Sequence, residues 1–213
     1  MSDATFEDVQ VDNILEDNVS FEDFLVRYEG QHAEWHDGKV FRKMSNNEQH
    51  QAMQMFLSLL IGLFLGFTKR GKLYSDGYQM KLNDDKSARQ PDLLVVLEEN
   101  YGRIKHQYLD GSADVVIEIV SPGSQRIDRY DKFHEYEQNA IPEYWIIDPI
   151  HDEVLFYVLN DKTGRYERQQ LDDNGVYHCI VLNKLAFEAA TLWQPTLPGV
   201  LEIVSMVQAM LTE

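Results

Sequence analysis

Basic residues are scarce in this chain. Lys and Arg number 19 against 36 Asp and Glu, a formal net charge of −17. That excludes a protein that gathers nucleic acid through its overall field, and a strong non-specific DNA clamp with it. Cysteine is nearly absent. The single Cys179 excludes an intrachain disulfide and a thiolate metal cluster. A reducing, cytoplasmic setting is the expectation. Long apolar runs are also lacking. The longest, residues 53–67, is interrupted by Ser58, Gly62 and Gly66 and is too short to span a bilayer comfortably. The first residues are acidic, without the basic and apolar segments of a signal peptide. No membrane association is expected. Internal repeats, low-complexity tracts and a helix-turn-helix with a basic recognition helix are missing too, so any sequence specificity would come from loops or another subunit.

What is there suits one domain with a sizeable core: 213 residues, 44 % hydrophobic and 26 % charged. The negative charge is uneven. Residues 1–37 hold 11 Asp and Glu against one Arg, and so carry ten of the seventeen net charges. Residues 1–19 show no clear period and are expected to form a flexible acidic arm. Residues 20–213 are expected to form a single domain. That domain is mildly acidic and could still bind a polyanion where a divalent cation supplies local positive charge.

The chain is organised around residues 113–149. Val115, Val116, Ile117, Ile119 and Val120 form a β-branched run that predicts a buried strand. Glu118 sits inside it, and a carboxylate there is costly unless a cation pairs with it. Ser121, Pro122 and Gly123 stop the strand, and Ser124 is suited to cap a helix over residues 125–139. Asp128 and Lys132 are four apart and share a face of that helix. A short strand follows at residues 144–147. Upstream, Pro91 and Asp92 open another apolar strand, residues 93–97. Two carboxylates at neighbouring strand ends, with a lysine, are the parts of a Mg²⁺-assisted phosphodiester hydrolysis site. Each residue also has an ordinary structural role open to it: strand-end capping for Asp92, a buried ion pair for Glu118, a helix salt bridge to Asp128 for Lys132.

These residues carry a family resemblance. Pro91-Asp92-Leu93-Leu94-Val95-Val96, then Asp114-Val115-Val116-Ile117-Glu118-Ile119-Val120-Ser121-Pro122, then Asp128, Lys132 and Tyr136, then Pro142-Glu143-Tyr144-Trp145-Ile146-Ile147-Asp148-Pro149 resemble the Uma-type restriction endonucleases of the PD-(D/E)XK nuclease superfamily. The resemblance runs over roughly residues 20–204. It implies an α/β fold: a restriction-endonuclease-like core with a mixed sheet, flanking helices and an added antiparallel β portion after Asp148. It implies a Mg²⁺- or Mn²⁺-dependent endonuclease acting on nucleic acid, with DNA preferred over RNA, and a homodimer is one arrangement open to it. Asp92 and Glu118 would be metal ligands, with the Val120 carbonyl as a third.

One departure stands out. The superfamily's lysine is expected two residues after the acid, where this chain has Val120. The resemblance instead assigns the role to Lys132 on the following helix, oriented by Asp128. Tyr136 would hydrogen-bond into the site or pack beside it. Glu34 stands where the family has an acid before a hairpin turn, here Asp37-Gly38. Glu48 matches the acid that superfamily members place on the first core helix, and is equally suited to stabilising that helix's N-terminus. His50 matches a family histidine that could meet phosphate or water, or could cap and pack. The missing strand lysine and the negative charge leave a rival reading open: a catalytically weak relative that works as a binding or assembly module.

Overall fold

The computed structural model describes residues 13–43, 47–82 and 86–212. Residues 1–12 of the expected arm lie outside these. The arm's inner end is ordered. Ile14–Glu16 forms strand β1, and Val19 is buried. The acid-rich composition of the segment masked this short strand.

Helix α1, Phe21–Arg27, is capped by the Ser20 side chain and buries Phe21 and Phe24. Strands β2 (Ala33–His36) and β3 (Lys39–Arg42) form the expected hairpin. Its turn residues Asp37 and Gly38 both have positive φ, 49° and 81°, as a tight right-twisted hairpin requires. Helix α2, Glu48–Thr68, has Asn47 as its cap, with the side chain accepting from His50 N–H. At 21 residues it extends beyond the apolar run at residues 53–67, and by length and composition alone it could cross a membrane. Here Met53, Phe56, Leu57, Leu60, Ile61, Phe64 and Leu65 are buried in the core.

Two sheets frame the site. The first contains β4 (Gly71–Ser75), β7 (Leu93–Leu97), β9 (Val115–Ile119), β10 (Glu143–Asp148), β11 (Glu153–Asn160) and β12 (Arg165–Gln169), in the order β12-β11-β10-β9-β7-β4. It is mixed, because β9 and β10 are parallel and the other pairs antiparallel. The parallel pair needs a crossover, and that crossover carries the site helix. The second sheet has the order β1-β3-β2-β6-β5-β8, with β5 at Gln79–Lys81, β6 at Ser87–Arg89 and β8 at Tyr108–Asp110. Residues 71–82 thus split between the two sheets at Asp76-Gly77. A hairpin of β13 (Val176–His178) and β14 (Ala186–Glu188) packs Tyr177 and Phe187 into the main core.

The helix expected over residues 125–139 is irregular. Ile127–Asp131 is a π-helical turn, and α3 proper runs from Lys132 to Gln138. Such turns recur at functional sites because the extra residue re-aims side chains. Helix α4, Val200–Thr212, closes the described chain and packs Ile203 and Val207 onto the core beside α2.

Candidate active site

A cleft of about 570 Å³ opens between the β2–β3 hairpin and the helix that follows β9. Glu34, His50, Asp92, Glu118, Asp128 and Lys132 all line it. Each is set by a different element: β2, the start of α2, the mouth of β7, the middle of β9, the π-helical turn and α3. All six are buried.

Lys132 is the centre of charge. Its ammonium lies 2.9 Å from Glu118 Oε1, 3.2 Å from Asp128 Oδ1 and 3.4 Å from Glu34 Oε1. Burial alone would favour the neutral amine. The three carboxylates overcome that and raise its pKa well above the ordinary lysine value. Tyr136 is fully buried and donates to Glu118 Oε1 at 2.8 Å.

Glu118 is pushed the other way from an ordinary carboxylate. Burial and the nearby carboxylates of Asp128 and Asp92 outweigh Lys132 and raise its pKa to about 8. Burial likewise raises Asp128. Glu34 shows the opposite balance. Burial opposes ionisation, but Lys132, Arg89 and Lys43 hold its pKa at about 2.

Asp92 is held by Lys43, which sequence patterning did not reveal, and by His50, which was a candidate. Lys43 Nζ is 2.9 Å from its Oδ1 and 3.1 Å from Asp76 Oδ1. His50 Nε2 is 3.1 Å from Asp92 Oδ2, which also accepts from Ile119 N–H at 2.7 Å. That last bond ties Asp92 to the residue beside Glu118. Lys43 and His50 outweigh burial and hold the Asp92 carboxyl well below its usual range. Arg89, also unforeseen, bridges Glu34 at 3.0 Å and Glu135 at 2.6 Å. Ser87 donates to the same Glu135.

Two expected members fall outside the cluster. Glu48 is exposed in the first turn of α2 and lines a different groove, beside Trp193 and Pro195. It stabilises the helix N-terminus, where an acid suits the dipole. Val120 does not line the cleft, whereas Ile119 does. The Val120 N–H continues the ladder to Ile147.

The donor set suits a hard cation. Among the described residues no three Asp, Glu, His or Cys side chains converge as a ready-made metal cage. Mg²⁺ does not need one, since it commonly binds through one or two carboxylates together with water and substrate phosphate. Asp92 and Glu118 offer those two carboxylates on one cleft.

The chain belongs to the Uma2 family, described as "Putative restriction endonuclease", whose model matches residues 20–188. A crystal structure from Anabaena variabilis, titled a putative nuclease belonging to DUF820, is similar in fold. It superposes with a TM-score of 0.63 at 15 % identity, covering 89 % of this chain and 99 % of that one. No curated protein matches the chain.

Proposed function

We propose that this protein is an endonuclease that hydrolyses phosphodiester bonds in DNA, with Mg²⁺ or Mn²⁺ held by Asp92 and Glu118. The observation that carries the reading is the convergence of Asp92, Glu118 and Lys132 on one cleft, from three separate elements. When bound, the cation would polarise the phosphate and acidify a water molecule.

The chain's own residues divide the remaining work. Lys132 is surrounded by three carboxylates, which favour its ammonium form. Its role is electrostatic: it donates into the cleft and offsets negative charge that builds on the phosphate. Lys43 offers a second ammonium on the Asp92 side. Tyr136 fixes the Glu118 carboxyl, and the Ile119 N–H with His50 fixes Asp92. Such fixed placement is what keeps a reacting group in position.

One observation favours the rival reading, a binding module without chemistry. The Asp92 oxygens already have Lys43, His50 and a backbone N–H as partners. Calorimetric titration with Mn²⁺, on wild type and on the Asp92→Ala, Glu118→Ala double variant, separates the two. Binding that vanishes in the double variant, joined by cleavage of a DNA substrate, supports the nuclease. No Mn²⁺ binding by the folded wild type, with or without DNA present, supports the module.

A further inference from the structure

The cleft has two chemically distinct zones. Its floor is the buried ion-pair network. Its outer lining carries the aromatic Phe41 and Tyr130 and the basic Arg42, Lys86 and His134, interspersed with Asp37 and Asp131. Tyr130 and His134 are four residues apart on the helical wall and both are exposed. On the hairpin side the cleft is lined by Phe41 and Arg42 at the end of β3 and, by the turn at the other end of the hairpin, by Asp37 and Lys86.

Tyr130 is the unusual member. It is a large aromatic residue left 63 % exposed, and it lines the cleft two residues from Asp128. It sits on the π-helical turn. One exposed ring alone would need no explanation. Its position does: an aromatic face at the mouth of a charged cleft is a stacking platform for a planar ring. The cleft's volume, about 570 Å³, falls in the range of small-molecule sites, roughly 300–1,000 Å³. That is room for a nucleotide unit.

We propose that the cleft takes one unpaired nucleotide of its substrate strand, with the base lying on the Tyr130 ring and the neighbouring phosphates along Arg42, Lys86 and His134. The proposal rests on the nuclease reading and narrows it. A base inside a duplex has its faces covered by its neighbours, so Tyr130 can reach one only where the stack is open. The substrate is therefore a single strand, a flap or a frayed end. Stacking tolerates every base, so recognition here is of strand form and not of sequence.

The test uses the full chain in Mn²⁺ on an end-labelled oligonucleotide, offered as a single strand, as a duplex and as a duplex with a single-stranded flap. DNA and RNA versions are run in parallel. Single strand and flap are cut faster than duplex. Tyr130→Ala lowers kcat/KM on the single strand by about 10-fold, mainly through KM, and Tyr130→Trp restores it. A duplex cut as fast as the single strand, or an unchanged Tyr130→Ala, overturns this inference while leaving the nuclease reading intact. No cleavage of any strand overturns both.

Discussion

The Lys132 ammonium stands 2.9 Å from Glu118 Oε1, joining a helix to the middle of a buried strand fourteen residues earlier. Both ends of the contact are almost fully removed from water. A buried carboxylate in an apolar strand calls for such a partner. The same lysine also faces Glu34 from the hairpin, so one side chain knits the two sheets together at the site.

Lys132→Ala is therefore expected to act on stability and chemistry at once. Loss of the ammonium leaves buried carboxylates uncompensated, at a cost of about 3–5 kcal/mol in the metal-free protein. Cleavage falls by about 10²–10³-fold, because an electrostatic donor is lost. Mn²⁺ binding persists, since Asp92 and Glu118 remain, and added Mn²⁺ recovers part of the lost thermal stability. Thermal melts with and without Mn²⁺, alongside cleavage assays, read all three effects. Full activity in the variant would remove Lys132 from the chemistry.

Lys43 makes a comparable prediction on the other side of the cleft. It is the ammonium that meets both Asp92 and Asp76, and their carboxylates, with that of Glu118, outweigh burial to keep it charged. Lys43→Met retains the apolar stem and deletes the charge. The variant should lose about 3 kcal/mol of stability, measured by urea unfolding, and its cleavage rate should fall at least 10-fold. Unchanged unfolding would mean that His50 and the Ile119 N–H hold Asp92 unaided.

Why Lys132 was legible in the sequence and Lys43 was not is a matter of spacing. Asp128 and Lys132 lie on one helix face, close to Glu118, and the apolar frame of β9 makes that glutamate conspicuous. Lys43 meets Asp92 across 49 residues and Asp76 across 33. Arg89 reaches Glu34 across 55. Neither cation sits in a periodic pattern: Arg89 meets Glu34 through the β2–β6 pairing and Lys43 meets Asp92 through the tertiary fold, so only long-range contact reveals the partner. The core followed the same rule. The buried face of α2, the β9–β10 pair and the Asp37-Gly38 turn all announce themselves through local period or turn chemistry. The split of residues 71–82 between two sheets and the docking of β1 depend on long-range pairing, which local pattern does not encode.

Stability should depend on pH through groups of opposite sign. Burial opposes ionisation of Glu135, but Arg89, with His36 and Ser87, lowers its pKa from 4.5 to about 2. A lowered folded-state value means the stabilisation is complete above pH 4.5 and is lost as pH falls toward 2. It amounts to about 3 kcal/mol. Glu118 is raised to about 8, so the folded protein keeps a proton that the unfolded chain releases. Its contribution is complete below pH 4.5 and fades as pH rises to about 8. Urea unfolding across this range should show a shallower acid limb in Glu135→Gln and a flatter upper limb in Glu118→Gln. Parallel profiles for all three proteins would rule out both assignments.

Glu143 provides a control outside the cleft. This carboxylate is fully buried on β10 and accepts from Trp145 Nε1 at 2.7 Å, Tyr177 OH at 2.6 Å, Val181 N–H at 2.7 Å and Ile180 N–H at 3.1 Å. It thereby fastens the β13 segment to the central sheet. Glu143→Ala removes the acceptor for four donors, and each buried orphan costs about 1–3 kcal/mol, so a net loss of about 4 kcal/mol is expected after local relaxation. Glu143→Gln keeps the shape and one acceptor oxygen and should lose about half as much. Glu143 does not line the cleft, so cleavage measured well below the melting temperature should stay near wild type in the Gln variant. A large drop in rate with unchanged melting would reverse the assignment and make this carboxylate part of the chemistry. The reverse pattern, a lowered melting temperature with intact cleavage, is what its four donors and its distance from Lys132's network require.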